Sequence, residues 1–329
     1  MPAVICLTPI HNEQWILDAF LRSATRWADH VIIADQGSTD RSRAIASGFE
    51  SAALIENPGS EYNEAFRQRI LIEEARRIPG KRLLFALDAD EMLSHNWYRS
   101  ADWQRALSAP PGTVIWAQRV NLYPGLRECW FESGLHPLAY VDDGAEHAGP
   151  PIHSVRLPIG DGSQGLRLEQ TVLLHFQYIG WEEMKAKQRW YQCWELLNTP
   201  ELRPIETYRR YHHMDAIPAH ARQPVPDEWI DPAQLEQLRG LRPGRRAYWD
   251  SQVLGLLDLH GAARFRRLEI WDTDWVQLAR GAGLSSPERF ADPRDRLTRR
   301  VHSWLARTQR PKRRLPTRVT ERLLGTVGW

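Results

Sequence analysis

The 329-residue sequence predicts an α/β fold: a mostly parallel sheet flanked by helices, then a helical C-terminal region. Three observations carry this. Short apolar runs alternate with segments of helical spacing through the first hundred residues. Each apolar run closes on turn or cap residues. From Trp181 onward, helical spacing dominates.

The elements follow in order. Residues 4–8 form a first apolar strand, and Ile16, Phe20, Ala24 and Trp27 then recur at helical spacing. Residues 31–34 read as a second strand, and Ser38-Thr39-Asp40 can cap the helix after it. Residues 52–55 make a third strand, ended by Asn57-Pro58-Gly59. Residues 65–77 are predicted helical, with Ile70 and Ala75 inward and a stop at Pro79-Gly80. Residues 83–87 form the fourth strand. This βαβαβαβ order calls for crossover helices and hence parallel pairing. Residues 114–122 read as a further strand. Residues 135–161, rich in Gly, Pro, His and Asp, are predicted as irregular loops around short strands. Residues 168–176 form another strand, ending in Leu173-Leu174-His175-Phe176. A long helix is expected over 182–197, with others near 232–239, 248–260 and 294–308. The expected division is therefore a catalytic domain at 1–180 and a helical region at 181–329, serving as lid, acceptor site or membrane contact.

Composition narrows the function classes. A hydrophobic fraction of 42% supplies a sizeable core. The net charge of +2 excludes a molecule that binds nucleic acid through its whole field. Cys6, Cys129 and Cys193 lie far apart and lack metal or redox spacing, so a reduced, cytoplasmic setting is expected. No run approaches the roughly 18 apolar residues of a membrane span. The first residues lack the basic start of a signal peptide. Fifteen Trp residues invite stacking on sugar rings, but Trp15, Trp27, Trp190 and Trp194 sit at helical core spacing, so packing is expected. Residues 294–329 carry eleven Lys and Arg against Asp295 and Glu321. Leu297, Val301, Trp304 and Leu305 give this tail an apolar stripe. A basic amphipathic helix of this kind suits peripheral contact with an anionic membrane, here its inner face.

The chemistry concentrates where Leu83-Leu84-Phe85-Ala86-Leu87 runs into Asp88-Ala89-Asp90-Glu91. Carboxylates at the end of a buried strand are costly unless water, a cation or a base meets them. In an open α/β sheet such strand ends face the ligand crevice. A divalent cation bridging to phosphate oxygens is the natural companion. The first strand ends in Thr8-Pro9-Ile10-His11-Asn12-Glu13, which opens a helix whose N–H groups are expected to meet a phosphate or base. The second ends in Asp35-Gln36-Gly37-Ser38-Thr39-Asp40, where a carboxylate can accept from a base N–H and Gly37 permits close approach. His175, at a later strand end, can bring an imidazole to the same rim.

In order and spacing, these three motifs resemble family 2 glycosyltransferases of the GT-A fold, over roughly the first hundred residues. Ile152-His153-Ser154 and Leu174-His175-Phe176 resemble a subgroup that includes transferases of lipopolysaccharide core assembly. The resemblance implies a Rossmann-like domain and a nucleoside-diphosphate-sugar donor of UDP type. It implies hexosyl transfer to a glycan or lipid-linked acceptor in cell-envelope polysaccharide assembly. Pro9 and Glu13 would line the nucleoside pocket, and Asp35 would hold the base. Asp88, followed by Ala89, would reach the ribose or a metal-bound water. Asp90 and His175 would ligate Mn²⁺ or Mg²⁺, the imidazole favouring Mn²⁺. Arg67 and Arg69 would face the diphosphate, although the Asn that follows the basic residue in many relatives is missing here.

An inverting transfer also needs a base near the acceptor hydroxyl. Glu128, Glu132, Asp142, Asp143, Glu146 and His153 lie in the expected stretch. Asp142-Asp143-Gly144 is the first choice as catalytic loop, because paired carboxylates beside a Gly can reach a shared cleft; His153 is the alternative. Two competing readings are a sugar-phosphate nucleotidyltransferase and a non-catalytic carbohydrate- or membrane-binding protein. The first usually opens with a Gly-rich basic loop, and this chain has Pro9-Ile10-His11-Asn12 there. The second leaves the strand-end carboxylates and His175 without a purpose. A dinucleotide dehydrogenase is disfavoured because no G-x-G-x-x-G follows the first strand.

Overall fold

The structure is a computed structural model that describes residues 1–57, 63–160, 163–199, 201–244, 246–310 and 312–329. Pro58-Gly59 of the expected third-strand turn, and Asp161 at the end of the predicted loop region, lie outside the described residues. The chain forms two compact units. One comprises Met1–Gly180 with Gln223–Pro243, and the other Trp181–Arg222 with Gly244–Trp329.

The first unit is α/β, as the alternation predicts. Its strands are β1 (Ala3–Ile10), β2 (His30–Asp35), β3 (Ala52–Glu56), β4 (Arg82–Ala86), β5 (Glu91–Leu93), β6 (Thr113–Leu122), β7 (Glu128–Val141), β8 (Gln164–Arg167), β9 (Leu173–His175) and β10 (Gln223–Pro224). They join one sheet in the order β3-β2-β1-β4-β7-β6-β9-β5, with β8 beside β6 and β10 beside β7. The pairs β1–β2, β2–β3 and β1–β4 are parallel. Helices α1 (Leu17–Ala24), α2 (Ser42–Ala46) and α3 (Glu64–Ala75) make the crossovers, and α4 (Ala101–Ser108) follows β5.

Strand alternation explains the two layers. Val4, Cys6, Val31, Ile33, Leu83 and Phe85 bury against Ile16, Phe20, Leu21 and Ala24 at α1. Ile5, Leu7, Ile32, Ala34 and Leu84 face Leu71, Ile72 and Ala75 of α3. Trp27 packs on Phe85 with ring centroids 4.8 Å apart, consistent with the expected packing role. Asn63 starts α3 by accepting from Phe66 N at 2.9 Å, the usual device for an orphan helix N–H.

Two local expectations give way to tertiary pairing. Within the predicted loop region, β7 runs on to Val141 because it pairs antiparallel with both β4 and β6. Its turn-prone residues are absorbed instead of ending it: Gly134 takes φ 91, and the β6–β7 register shifts near Pro137. The predicted strand at 168–176 shortens to β9. Asp102 of α4 accepts from Glu169 N, Gln170 N and Thr171 N, which holds that stretch as a turn.

The second unit is helical, as expected, with α5 (Trp181–Asn198), α6 (Pro204–Tyr211), α8 (Arg246–His260), α9 (Trp275–Gly281), α10 (Arg296–Thr308) and α11 (Leu315–Gly325); α7 (Leu235–Arg239) belongs to the first unit. Trp190 of α5 and Trp249 of α8 pack with centroids 5.2 Å apart. Among the described residues, no helix is long and apolar enough to cross a membrane.

Candidate functional site

Parallel pairing of β2, β1 and β4 brings three strand ends to one rim. The first two are stitched to each other. Asn12 N donates to Ser38 Oγ, Glu13 N to Ser42 Oγ and Gln14 N to Asp40 Oδ2. Asn12, at φ 57, accepts in return from Thr39 N at 2.8 Å. The backbone N–H groups ahead of α1 are therefore occupied by side chains of the second loop. This corrects the expectation that they meet a phosphate or base.

Asp35 is tied locally at the end of β2. Its side chain is fully buried, accepting from Ser38 N at 3.1 Å and from Arg43 Nη1 at 2.8 Å. It shapes the Gly37 turn, with Ser38 on one oxygen and the half-exposed Arg43 on the other. Pro9 is buried, and Glu13 accepts from Trp15 Nε1 at 2.8 Å. Ala89 points into the core at 2% exposure, so only its backbone can meet a ligand. Arg67 is half-buried on α3, and Arg69 is exposed with its guanidinium 5.9 Å from the Phe66 ring centroid.

The acidic motif is where the structure brings groups together. After Asp88 the chain turns tightly, with Glu91 N donating to Asp88 O at 2.9 Å. It then enters β5, which pairs antiparallel with β9 so that Glu91 stands opposite His175. Strand β9 pairs with β6 on its other side and sets His175 opposite Asn121. This three-strand row carries the imidazole to Asp90, and Phe176 N locks the register by donating to Asp90 O at 2.8 Å.

The protonation state of His175 follows from its neighbours. Glu132 can only accept, so the Asn121 amide turns its Nδ2 to Glu132 Oε1, at 2.9 Å. Asn121 Oδ1 then accepts from His175 Nδ1, at 2.7 Å. The lone pair is left on Nε2, which lies 3.8 Å from Asp90 Oδ2. Burial, reinforced by the Arg119 cation, lowers the imidazole pKa to about 4, so the ring is neutral near pH 7.

Two lone-pair donors 3.8 Å apart fit a shared cation, since two bonds of about 2.1 Å span up to about 4.2 Å. A hydrogen-bonded, neutral imidazole is the usual form of a metal-ligating His. Among the described residues no cluster of three His, Cys, Asp or Glu surrounds this point. Further ligands would have to be water or substrate oxygens, as is common for cations that serve phosphate chemistry.

The other two carboxylates of the motif are already neutralised, by groups that sequence reasoning missed. Arg156 Nη2 donates to Asp88 Oδ2 at 2.6 Å, and its Nη1 donates to Glu91 Oε2. Arg119 pairs with Glu91 at 3.2 Å and with Glu132 at 2.9 Å. Burial pushes the Glu91 carboxyl up, but the guanidiniums of Arg156 and Arg119 overcome it and hold it well below the usual carboxylate range. Burial pushes Glu132 up in the same way, and His136 and Arg119 overcome it and leave that carboxyl lowered as well. A signal existed for Asn121: a polar residue within an apolar strand, fully buried in the fold. None existed for Arg156, which stands 65 residues beyond Glu91.

The expected catalytic loop lies elsewhere. Asp142 is fully buried, bonded to Arg76 Nη2 at 2.8 Å and Arg82 Nε at 2.9 Å. Arg82 opens β4, whereas Asp88 lies past its other end, roughly 20 Å away at strand rise. Asp143 accepts from Tyr140 Oη at 2.5 Å in the same corner. Both carboxylates hold the turn after β7 and stand at the wrong end of the sheet for a base. His153 is placed differently. It is exposed at φ 57 in a strap docked on α3, where Ser154 N donates to Glu64 Oε2 at 2.9 Å and Glu64 N to Pro151 O. Arg156 follows three residues later.

Residues 5–101 match the model of glycosyl transferase family 2. No curated protein matches the chain in sequence. Among solved structures, glucosyl-3-phosphoglycerate synthase from Mycobacterium tuberculosis, in complex with Mn²⁺, UDP and phosphoglyceric acid, is 16% identical with a TM-score of 0.27. That match covers 38% of this chain and 44% of the mycobacterial one, less than half its length. S. aureus TarS 1–349 is 9% identical with a TM-score of 0.39, over 88% of this chain and 89% of that one.

Proposed function

We propose that this protein is a metal-dependent glycosyltransferase of the GT-A type. It moves a hexosyl group from a nucleoside-diphosphate sugar, of UDP type, to a hydroxyl of a glycan or lipid-linked acceptor. The observation that carries the reading is the Asp90–His175 pair, 3.8 Å apart with the imidazole lone pair turned inward. The family match over residues 5–101 ends just past this acidic motif and supports the donor class.

Asp90 and His175 would hold Mn²⁺ or Mg²⁺, and the nitrogen ligand favours Mn²⁺. When bound, the cation offsets the negative charge that develops on the departing diphosphate. The chain's own residues prepare the site. Asn121 keeps the His175 Nε2 lone pair available. Arg156 fixes Asp88 at the rim and leaves that half-exposed carboxylate one free oxygen for a ribose hydroxyl or a bound water. With Asp142 and Asp143 displaced and Glu132 paired with Arg119, His153, on the strap that carries Arg156, is our choice of base. Acting there, it would take the acceptor hydroxyl proton on the side away from the diphosphate, which gives inversion.

Asp90→Ala tests the reading by calorimetry with UDP in the presence and absence of Mn²⁺. Loss of the metal-dependent part of the affinity, with an unchanged unfolding midpoint, is expected. Unchanged metal-dependent binding would refute it. Donor hydrolysis across several nucleotide sugars in Mn²⁺ then identifies the sugar. Pyrophosphate release from a nucleoside triphosphate would favour a nucleotidyltransferase instead.

A further inference from the structure

Helix α11 presents a two-row outer face that nothing in the described chain covers. Leu315, Val319 and Leu323 recur every four residues and are 73%, 48% and 65% exposed. Residues so spaced lie one above another on a helix. Val327 extends the row past the helix end and is 63% exposed. Arg314, Arg318 and Arg322, also spaced by four, form a second exposed row beside it. Lys312 and Arg313 are exposed just ahead of the helix.

The inner face explains why the outer one stays free. Leu324 packs into a cluster with Ile205, Tyr208, Val301, Leu305 and Trp329, and Thr317 is buried. Glu321, the acidic residue of the helix, is paired with Arg209 at 2.9 Å. No such partner is present for Arg314, Arg318 or Arg322 among the described residues. The helix is thus anchored by one face and presents apolar and cationic rows on the other. The whole protein carries only +2, so this charge is local.

We infer that α11 seats this protein on an anionic lipid surface. The apolar row enters the headgroup boundary, and the arginine row pairs with lipid phosphates alongside. A purely acidic polymer would satisfy the arginines but leave Leu315, Val319 and Leu323 in water. A second copy meeting this face about a two-fold axis would set arginine rows against arginine rows. A membrane of anionic lipid satisfies both rows together. The inference is independent of the glycosyltransferase reading, since it needs neither donor nor metal.

Full-length protein is sedimented with phosphatidylcholine vesicles, with and without phosphatidylglycerol, at low and high salt. Binding to the anionic vesicles at low salt is expected. Arg318→Glu/Arg322→Glu should lower partitioning about tenfold or more, since each cation near the surface is worth roughly fivefold. The apolar row is tested by Val319→Ser/Leu323→Ser, which leaves the charge unchanged and is expected to lower partitioning about tenfold as well. All four positions are exposed, so circular dichroism should be unchanged in both variants. Absence of binding to anionic vesicles at low salt would overturn the inference. So would loss in the arginine variant alone, which marks a purely electrostatic surface. Self-association abolished by Val319→Ser/Leu323→Ser, without vesicle binding, would assign the face to a second copy and overturn it likewise.

Discussion

Asn121→Leu is the sharpest test of how the candidate metal pair is built. The substitution keeps the same branching at Cγ in β6 but removes both polar arms of the amide. His175 Nδ1 loses its acceptor at 2.7 Å, and Glu132 loses one donor at 2.9 Å while keeping Arg119 and His136. Asn121 is completely buried, so water does not readily replace its oxygen. The imidazole is then free to change tautomer or rotate, and Nε2 no longer faces Asp90 by default. Outer partners of metal-bound histidines are typically worth 10- to 100-fold in metal affinity, or about 1.4–2.7 kcal/mol. Mn²⁺ titration calorimetry with saturating UDP measures it directly. Affinity reduced by that factor, with the heat of UDP binding in metal-free buffer unchanged, is expected. A folded Asn121→Leu protein that binds Mn²⁺ within twofold of the parent would refute the tautomer argument.

Two further outcomes follow from the same geometry. Asp142→Asn should cost about 3 kcal/mol of stability in urea unfolding, because it strips the shared anion from Arg76 and Arg82. Donor hydrolysis per folded molecule should not change; a thousandfold loss at unchanged stability would restore Asp142 as the base. His175, with its pKa lowered to about 4 by burial, makes stability depend on pH in a defined window. Between pH 6.5 and 4 the unfolded chain takes up the proton and the folded chain does not. The contribution is therefore complete above pH 6.5 and lost as pH falls toward 4, by up to about 3 kcal/mol. His175→Asn should flatten that part of the profile measured by chemical unfolding, and an unchanged slope would contradict the assignment.

The layers of the fold were legible because strand and helix periods differ. Ile16, Phe20, Ala24 and Trp27 announced a buried helix face, and all four are buried. The elements that misled are those whose form depends on partners far along the chain. Gly134 and Pro137 read locally as loop, yet β4 and β6 supply enough pairing to carry a strand through them. Glu169 to Thr171 read as strand, yet one buried carboxylate, Asp102, gathers their N–H groups into a turn.

The candidate site divides along the same line. Asp90 and His175 could be picked out as chemistry-bearing residues at strand ends, since each ends or follows an apolar run. The partner of Asp35 could not be read the same way, because its pairing with Arg43 is a matter of where α2 places one guanidinium. Asp142-Asp143 looked like a catalytic loop because the sequence does not show which end of the sheet β7 reaches. Antiparallel pairing with β4 decides that: Val141 stands opposite Leu83, at the start of β4 and away from Asp88.

Charge placement is what separates the three acids of the motif, and it does so without help from their own sequence context. Asp88, Asp90 and Glu91 are near-neighbours on one turn and would repel strongly if all stayed ionised and unpaired in a crevice. Arg156 and Arg119 resolve this asymmetrically. They take Glu91 into the interior as a fully paired anion and tie one oxygen of Asp88. The acid between them turns to His175, a neutral group. An arginine in that place would have filled the site with a fixed cation, whereas an imidazole holding a lone pair leaves it open to a removable one. Asp90 is thus the acid of the motif that stands beside a neutral imidazole, and two arginines outside the motif decide which acid that is.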